Sequence, residues 1–93
     1  MEIRYSQHLQ FKLWTRRIPN DLPERIHRES RQRYFNQHSV RHIAVMETLF
    51  QHRRTLMMIA YDQFPDHVEI ITIHPITKTQ VQDRVQSGRW SYE

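Results

Sequence analysis

No cysteine occurs in these 93 residues, glycine occurs once, and no apolar run approaches the length of a bilayer span. The missing thiols exclude a disulfide framework and a thiolate zinc site, and they fit a reducing compartment. One glycine, Gly88, excludes Gly-rich phosphate loops of the P-loop or dinucleotide type. No Gly-x-Ser-x-Gly elbow and no paired carboxylate pattern is present. A membrane helix needs roughly 20 apolar residues. The opening Met-Glu-Ile-Arg-Tyr carries charge inside its first apolar stretch and lacks a signal-peptide core. These absences predict a soluble cytoplasmic protein with no cofactor and no membrane association.

What is present is arginine. Fourteen basic residues face ten acidic ones, a net charge of +4 with pI near 10.0, and only Lys12 and Lys78 among the basic residues are lysine. The guanidinium fork suits phosphate and stacks on bases, which points to nucleic acid. The charge is uneven, with eleven Lys/Arg in residues 1–60 and three in residues 61–93. The length allows one domain, residues 1–93, burying roughly 60–65% of its unfolded surface.

Along the chain, Glu2–Tyr5 alternates as a short strand. Ser6 is an N-cap for a helix over residues 7–17, with Leu9 and Leu13 on one side and Phe11, Trp14 and Ile18 on another. Two apolar stripes predict a helix wedged between a sheet and a second helix. Asp21-Leu22-Pro23-Glu24 has capping-box spacing, opening a second helix to about Arg31, and Arg28–Arg33 reads as a solvated charged stretch. Val40–Phe50, Arg54–Tyr61 and Val68–Ile73 read as an antiparallel meander, with residues 51–53 as its first turn and Glu2–Tyr5 as a possible fourth strand. Thr77 with Gln80 caps a last helix. Gly88 is its left-handed C′ residue, and residues 89–93 are a short tail. In the central strands both faces are apolar, Met57 and Ile59 on one and Leu56 and Met58 on the other. The second face is either an interaction surface with adaptable methionines or the seat of the last helix.

The most specific constellation is His8, Lys12 and Arg16. Spacings of four stack the three along one helix face at about 6 Å per step. An imidazole and two fixed cations supply what metal-free RNA cleavage needs: a base for the 2′-hydroxyl proton and positive charge at phosphorus. In the first helical turn the macrodipole favours neutral, base-competent His8. A solvated cationic face is the plain alternative. His74, at a strand end before Pro75, is a candidate acid or a structural residue. Arg41, Arg53, Arg54, Lys78, Arg84 and Arg89 are candidates to steer an RNA backbone. His38 and His42 share a strand face about 13 Å apart, too far for one ion, so no metal is expected. His27, His52 and His67 read as surface residues. Trp90 either stacks on a base or packs on the core.

Tyr5-Ser6-x-His8 followed by Lys12, Arg16 and Ile18 resembles the His-x3-Arg-x3-Arg-Gly-Ile helix of small prokaryotic domains related to the RelE/ParE and BrnT toxins. Val68-Glu69-Ile70-Ile71-Thr72-Ile73-His74-Pro75 is similar to their closing strand, so the likeness covers about residues 3–76. It implies a RelE-like α+β fold, with two N-terminal helices on an antiparallel sheet of three to four strands and a C-terminal helix. It also implies a toxin that cuts messenger RNA, free or ribosome-bound, and a cognate antitoxin partner. Lys12 departs from the family's arginine and loses the bidentate fork. Arg17 replaces the family's glycine, so the helix is expected to end differently. Two other classes stay open: a non-catalytic module binding nucleic acid or protein, gyrase poisons included, and a homodimeric assembly protein.

Overall fold

In the computed structural model, which describes all residues 1–93, three helices lie on the two faces of one sheet. The order is β1 (Glu2–Tyr5), α1 (Gln7–Thr15), α2 (Leu22–Glu29), β2 (Gln32–Asn36), β3 (Arg41–Phe50), β4 (Arg53–Gln63), β5 (His67–Pro75), α3 (Lys78–Gln86) and β6 (Trp90–Tyr92). The six strands are arranged β1-β5-β4-β3-β2-β6. β1 runs parallel to β5, and every other pairing is antiparallel.

The expected RelE-like arrangement with three to four strands is therefore corrected: the sheet has six. The two extra strands come from segments outside the expected meander. Gln32–Asn36 overlaps the supposedly solvated stretch, and Trp90–Tyr92 is the supposed tail. Both lie at one edge, where β6 pairs with β2. Their periodicity is weak because each buries one side chain only, Tyr34 and Trp90.

α1 and α2 cover one face, packing Leu9, Leu13, Ile18, Leu22 and Ile26 on Ala44, Met57, Ile59, Tyr61, Val68, Ile70 and Ile73. α3 covers the other through Val81, with Tyr34, Ile43, Val45, Met58, Ile76 and Trp90. The two-sided apolar pattern of β3 and β4 thus reflects a sheet sandwiched by helices. The second face is core beneath α3, and Met57 and Met58 are buried.

A bulge in the β4–β5 pair decides which way the end of β5 points. Tyr61 faces Ile70 and Ala60 faces Thr72, so Ile71 has no opposite residue. Strict alternation would keep positions 68, 70, 72 and 74 on one face. The extra residue shifts the phase. Val68, Ile70 and Ile73 all enter the α1/α2 core, while Thr72 and His74 sit opposite Ala60 and Met58 on the α3 side.

The helix ends follow their capping residues. The Ser6 hydroxyl accepts the Leu9 N–H at 3.0 Å, and Thr77 and Gln80 form the reciprocal capping box. Gly88 takes φ +79°, the left-handed conformation expected after α3. Asp21 makes no side-chain cap, so the expected box with Glu24 does not form. α1 stops at Thr15. Arg17 takes φ 53°, while the Arg17 N–H reaches the Trp14 carbonyl and the Ile18 N–H the Leu13 carbonyl. That is a Schellman ending with arginine in the left-handed position that glycine usually takes.

Phe11 and Trp14 also depart from the expected stripe. Ile18 is buried, but Phe11 is 69% and Trp14 82% exposed. α2 packs beside α1 through Leu22 and Ile26 and leaves the outer side of α1 free.

A candidate catalytic groove and nucleic-acid interface

β1 is only four residues long and pairs β5 as far as Ile70. Beyond that point one edge of β5 has no neighbouring strand. Ser6 closes the junction, its N–H donating to the Ile70 carbonyl at 3.0 Å and its hydroxyl to the Ile71 carbonyl at 2.8 Å. α1 then runs alongside this open edge. Lys12 reaches over it, and Nζ donates to Thr72 Oγ1 at 3.4 Å.

On the far side of the edge lies a groove of about 220 Å³ between α3, the end of β5 and the β2–β3 turn. Arg41, His74, Arg84 and Arg89 line it with Asn36, Ser39 and Thr72, and no carboxylate does. Arg41 is paired with Asp62 at 3.2 Å. Arg84 lies over the Trp90 ring, 5.0 Å from its centroid, as cation–π geometry requires. Trp90 is core at 2% exposure, and its Nε1 is the one buried side-chain polar atom without a hydrogen-bond partner.

His74 is the centre of the charge pattern. Its Nδ1 is 3.1 Å from the Pro75 carbonyl. A carbonyl only accepts, so Nδ1 carries the proton and Nε2 holds the free lone pair of the neutral ring. Burial pushes the imidazole below the ordinary value of 6.5. The Pro75 carbonyl opposes this, and the charges of Lys12 and Arg84 push it further down. Lys12 is itself lowered, by burial and then by Arg16, and Arg84 by burial and then by Arg89. Lys12, one helical turn before Arg16, touches Thr72, which lines the groove with His74, Arg84 and Arg89, so a basic track runs from α1 on one sheet face to α3 on the other.

Of the residues singled out in the sequence, Lys12, Arg16, Arg41, His74, Arg84 and Arg89 fall on this track or its wall. His8 is exposed one turn before Lys12 and makes no side-chain hydrogen bond. Arg53, Arg54 and Lys78 do not line the groove. Arg54 pairs with Glu47 at 2.7 Å at the β3–β4 hairpin end, and Lys78 acts on the same Glu47 carboxylate.

The polar groove walls Asn36, Ser39 and Thr72 were missed in the sequence. Asn36 Oδ1 accepts the His38 and Ser39 N–H groups, an ordinary turn role that gives no hint of a site. Two other histidines are also not the surface residues expected. His27 packs edge-on to Tyr61 at 4.8 Å, with burial and then Arg33 pushing its pKa down. His67 stacks on Phe64 at 4.6 Å and bonds Asp66 at 2.7 Å.

No group of three or more His, Cys, Asp or Glu residues is arranged to hold a metal ion. No helix is long and apolar enough to cross a membrane. Comparison with protein-family models, with curated proteins and with solved structures found no match.

Proposed function

We propose that the chain is a toxin-type ribonuclease that cleaves RNA at the His74 groove by attack of the 2′-hydroxyl, without a metal. One observation carries this reading. A half-buried histidine with a free Nε2 lone pair lines a carboxylate-free groove with Arg84 and Arg89, and the charges of Lys12 and Arg84 act on it.

In this mechanism His74 Nε2 takes the 2′-hydroxyl proton. The 2′-oxygen then bonds to phosphorus, the bond to the 5′-oxygen breaks, and a 2′,3′-cyclic phosphate remains. Lys12 and Arg84 stabilise the charge gathering on the non-bridging oxygens. Lys12, an ammonium already made more acidic by burial, supplies the proton to the leaving 5′-oxygen. Arg16 and Arg89 extend the phosphate contacts to either side. The base role moves from His8 to His74, because His74 lines the groove with Arg84 and Arg89 while His8 lies exposed outside it.

The substrate class is cytoplasmic messenger RNA, free or on the ribosome, and the expected protein partner is a cognate antitoxin. The toxin assignment draws on the likeness of the His8–Ile18 segment and of Val68–Pro75 to toxin-related domains. The experiment is RNA cleavage in EDTA by wild type and His74→Ala. Binding measured across salt accompanies it: removal of Arg84 or Arg89 should reduce the salt slope by about one each. RNA bound through these arginines but never cut assigns the groove to binding alone.

A further inference from the structure

Residues 6–20 contain no carboxylate and carry Lys12, Arg16, Arg17 and His8. The two largest side chains of this segment, Phe11 and Trp14, lie in solvent, and neither joins a core cluster. Leu9 and Leu13 fix the buried side of α1. At 100° per residue, Phe11 then faces directly outward, Trp14 takes the flank toward Tyr5 and Asn20, and His8 and Lys12 take the opposite flank. Trp14 stands between two open clefts, one walled by Tyr5, Gln10 and Asn20, the other by Thr15, Arg17 and Asn20. A single exposed hydrophobe is ordinary. Two exposed aromatic side chains one turn apart, whose exposed neighbours on α1 are amides, a hydroxyl and basic side chains, are a different feature.

We propose that Phe11 and Trp14 form a stacking platform for unpaired bases of single-stranded RNA, with Arg17 and Lys12 holding the flanking phosphates. Residues three apart on a helix are neighbours, so both exposed rings are within reach of one strand running along the outer side of α1. Stacking on such a surface tolerates any base, and cations beside it track the backbone. A duplex hides its base faces, so the platform selects single strands. The absence of carboxylates favours a polyanion. The choice of RNA as the polymer rests on the reading of the His74 groove, but the platform needs no chemistry there.

The test uses a short 2′-O-methyl oligonucleotide, which lacks the attacking hydroxyl, and an abasic backbone of equal length at the same salt. Wild type should prefer the base-bearing strand. Trp14→Ala should weaken that binding roughly tenfold, the order expected for losing one stacked base, and leave abasic binding and the salt slope unchanged. Trp14→Phe should restore most of the loss, and His74→Ala should keep the base preference. Trp90 is buried, so quenching of solvent-exposed tryptophan emission reports Trp14 directly. Equal affinity for the two strands, or full affinity in Trp14→Ala, overturns the platform while leaving the groove reading standing. Binding of neither strand overturns both.

Discussion

The Lys12 ammonium reaches over the open edge of β5 to the Thr72 hydroxyl, 3.4 Å away, joining a helix on one sheet face to a groove on the other. Two backbone features make this possible. β1 stops at Tyr5, so nothing screens the edge, and the bulge opposite Ala60 and Tyr61 turns Thr72 and His74 toward α3. Lys12 thereby becomes one of the two charges that depress His74.

Replacing Lys12 with methionine keeps the apolar stem and removes that charge. The His74 pKa should rise toward its ordinary value, read by NMR titration of the imidazole. Cleavage should fall by roughly 10²-fold or more, the scale of losing one electrostatic donor or proton donor. An unchanged His74 titration would mean that the two groups are not coupled across the edge.

Stability should fall on mild acidification. His74 and His27 both have folded pKa values below 6.5, chiefly through burial. From 6.5 down to those lowered values the unfolded chain binds more protons, and stability rises with pH wherever that is so. Loss therefore begins as pH drops through about 6.5 and is complete below the folded values. Glu2, Glu47 and Asp66 are lowered by their hydrogen-bonded partners, so they act only in a more acidic window. Urea midpoints at about pH 7.5 and pH 5 should differ in wild type, and the difference should shrink in a His27→Gln, His74→Gln double variant.

Arg17 holds a left-handed conformation that glycine adopts freely. For an L-residue that conformation costs about 1–2 kcal/mol. Arg17→Gly should stabilise the fold by about 1 kcal/mol, raising Tm by roughly 4–8 °C in a domain of this size. It should also weaken RNA binding at low salt by removing a cation. A lower Tm would show that the Arg17 stem supports the fold.

Local signals in the chain are legible where a residue acts on its own neighbours. Ser6, Thr77 with Gln80, and Gly88 fix helix ends through contacts within a few residues, and the sequence reports them. The β3 and β4 alternation is equally plain. What sequence does not show is set by distant partners. β2 becomes a strand because β3 and β6 flank it, and Arg33 inside it bonds the Tyr61 hydroxyl and the His27 and Ser30 carbonyls. Asp21 has the right spacing for a cap but adopts helical backbone angles, which turn its side chain away from that role. For the site, Lys12 and His74 stand out as residues, yet their meeting depends on a short β1 and one unpaired Ile71. Nothing in Val68–Pro75 marks a bulge. Arg53, Arg54 and Lys78 share the charge of the groove arginines but sit at the far end of a long hairpin, a separation that composition cannot reveal.

The most direct test is incubation of purified protein with end-labelled mixed-sequence RNA in EDTA, beside His74→Ala and His8→Ala. The account predicts fragments ending in 2′,3′-cyclic phosphate from wild type, none from His74→Ala, and substantial cleavage from His8→Ala. Cleavage by His74→Ala at the wild-type rate, or its loss in His8→Ala alone, would contradict a reaction centred on the His74 groove.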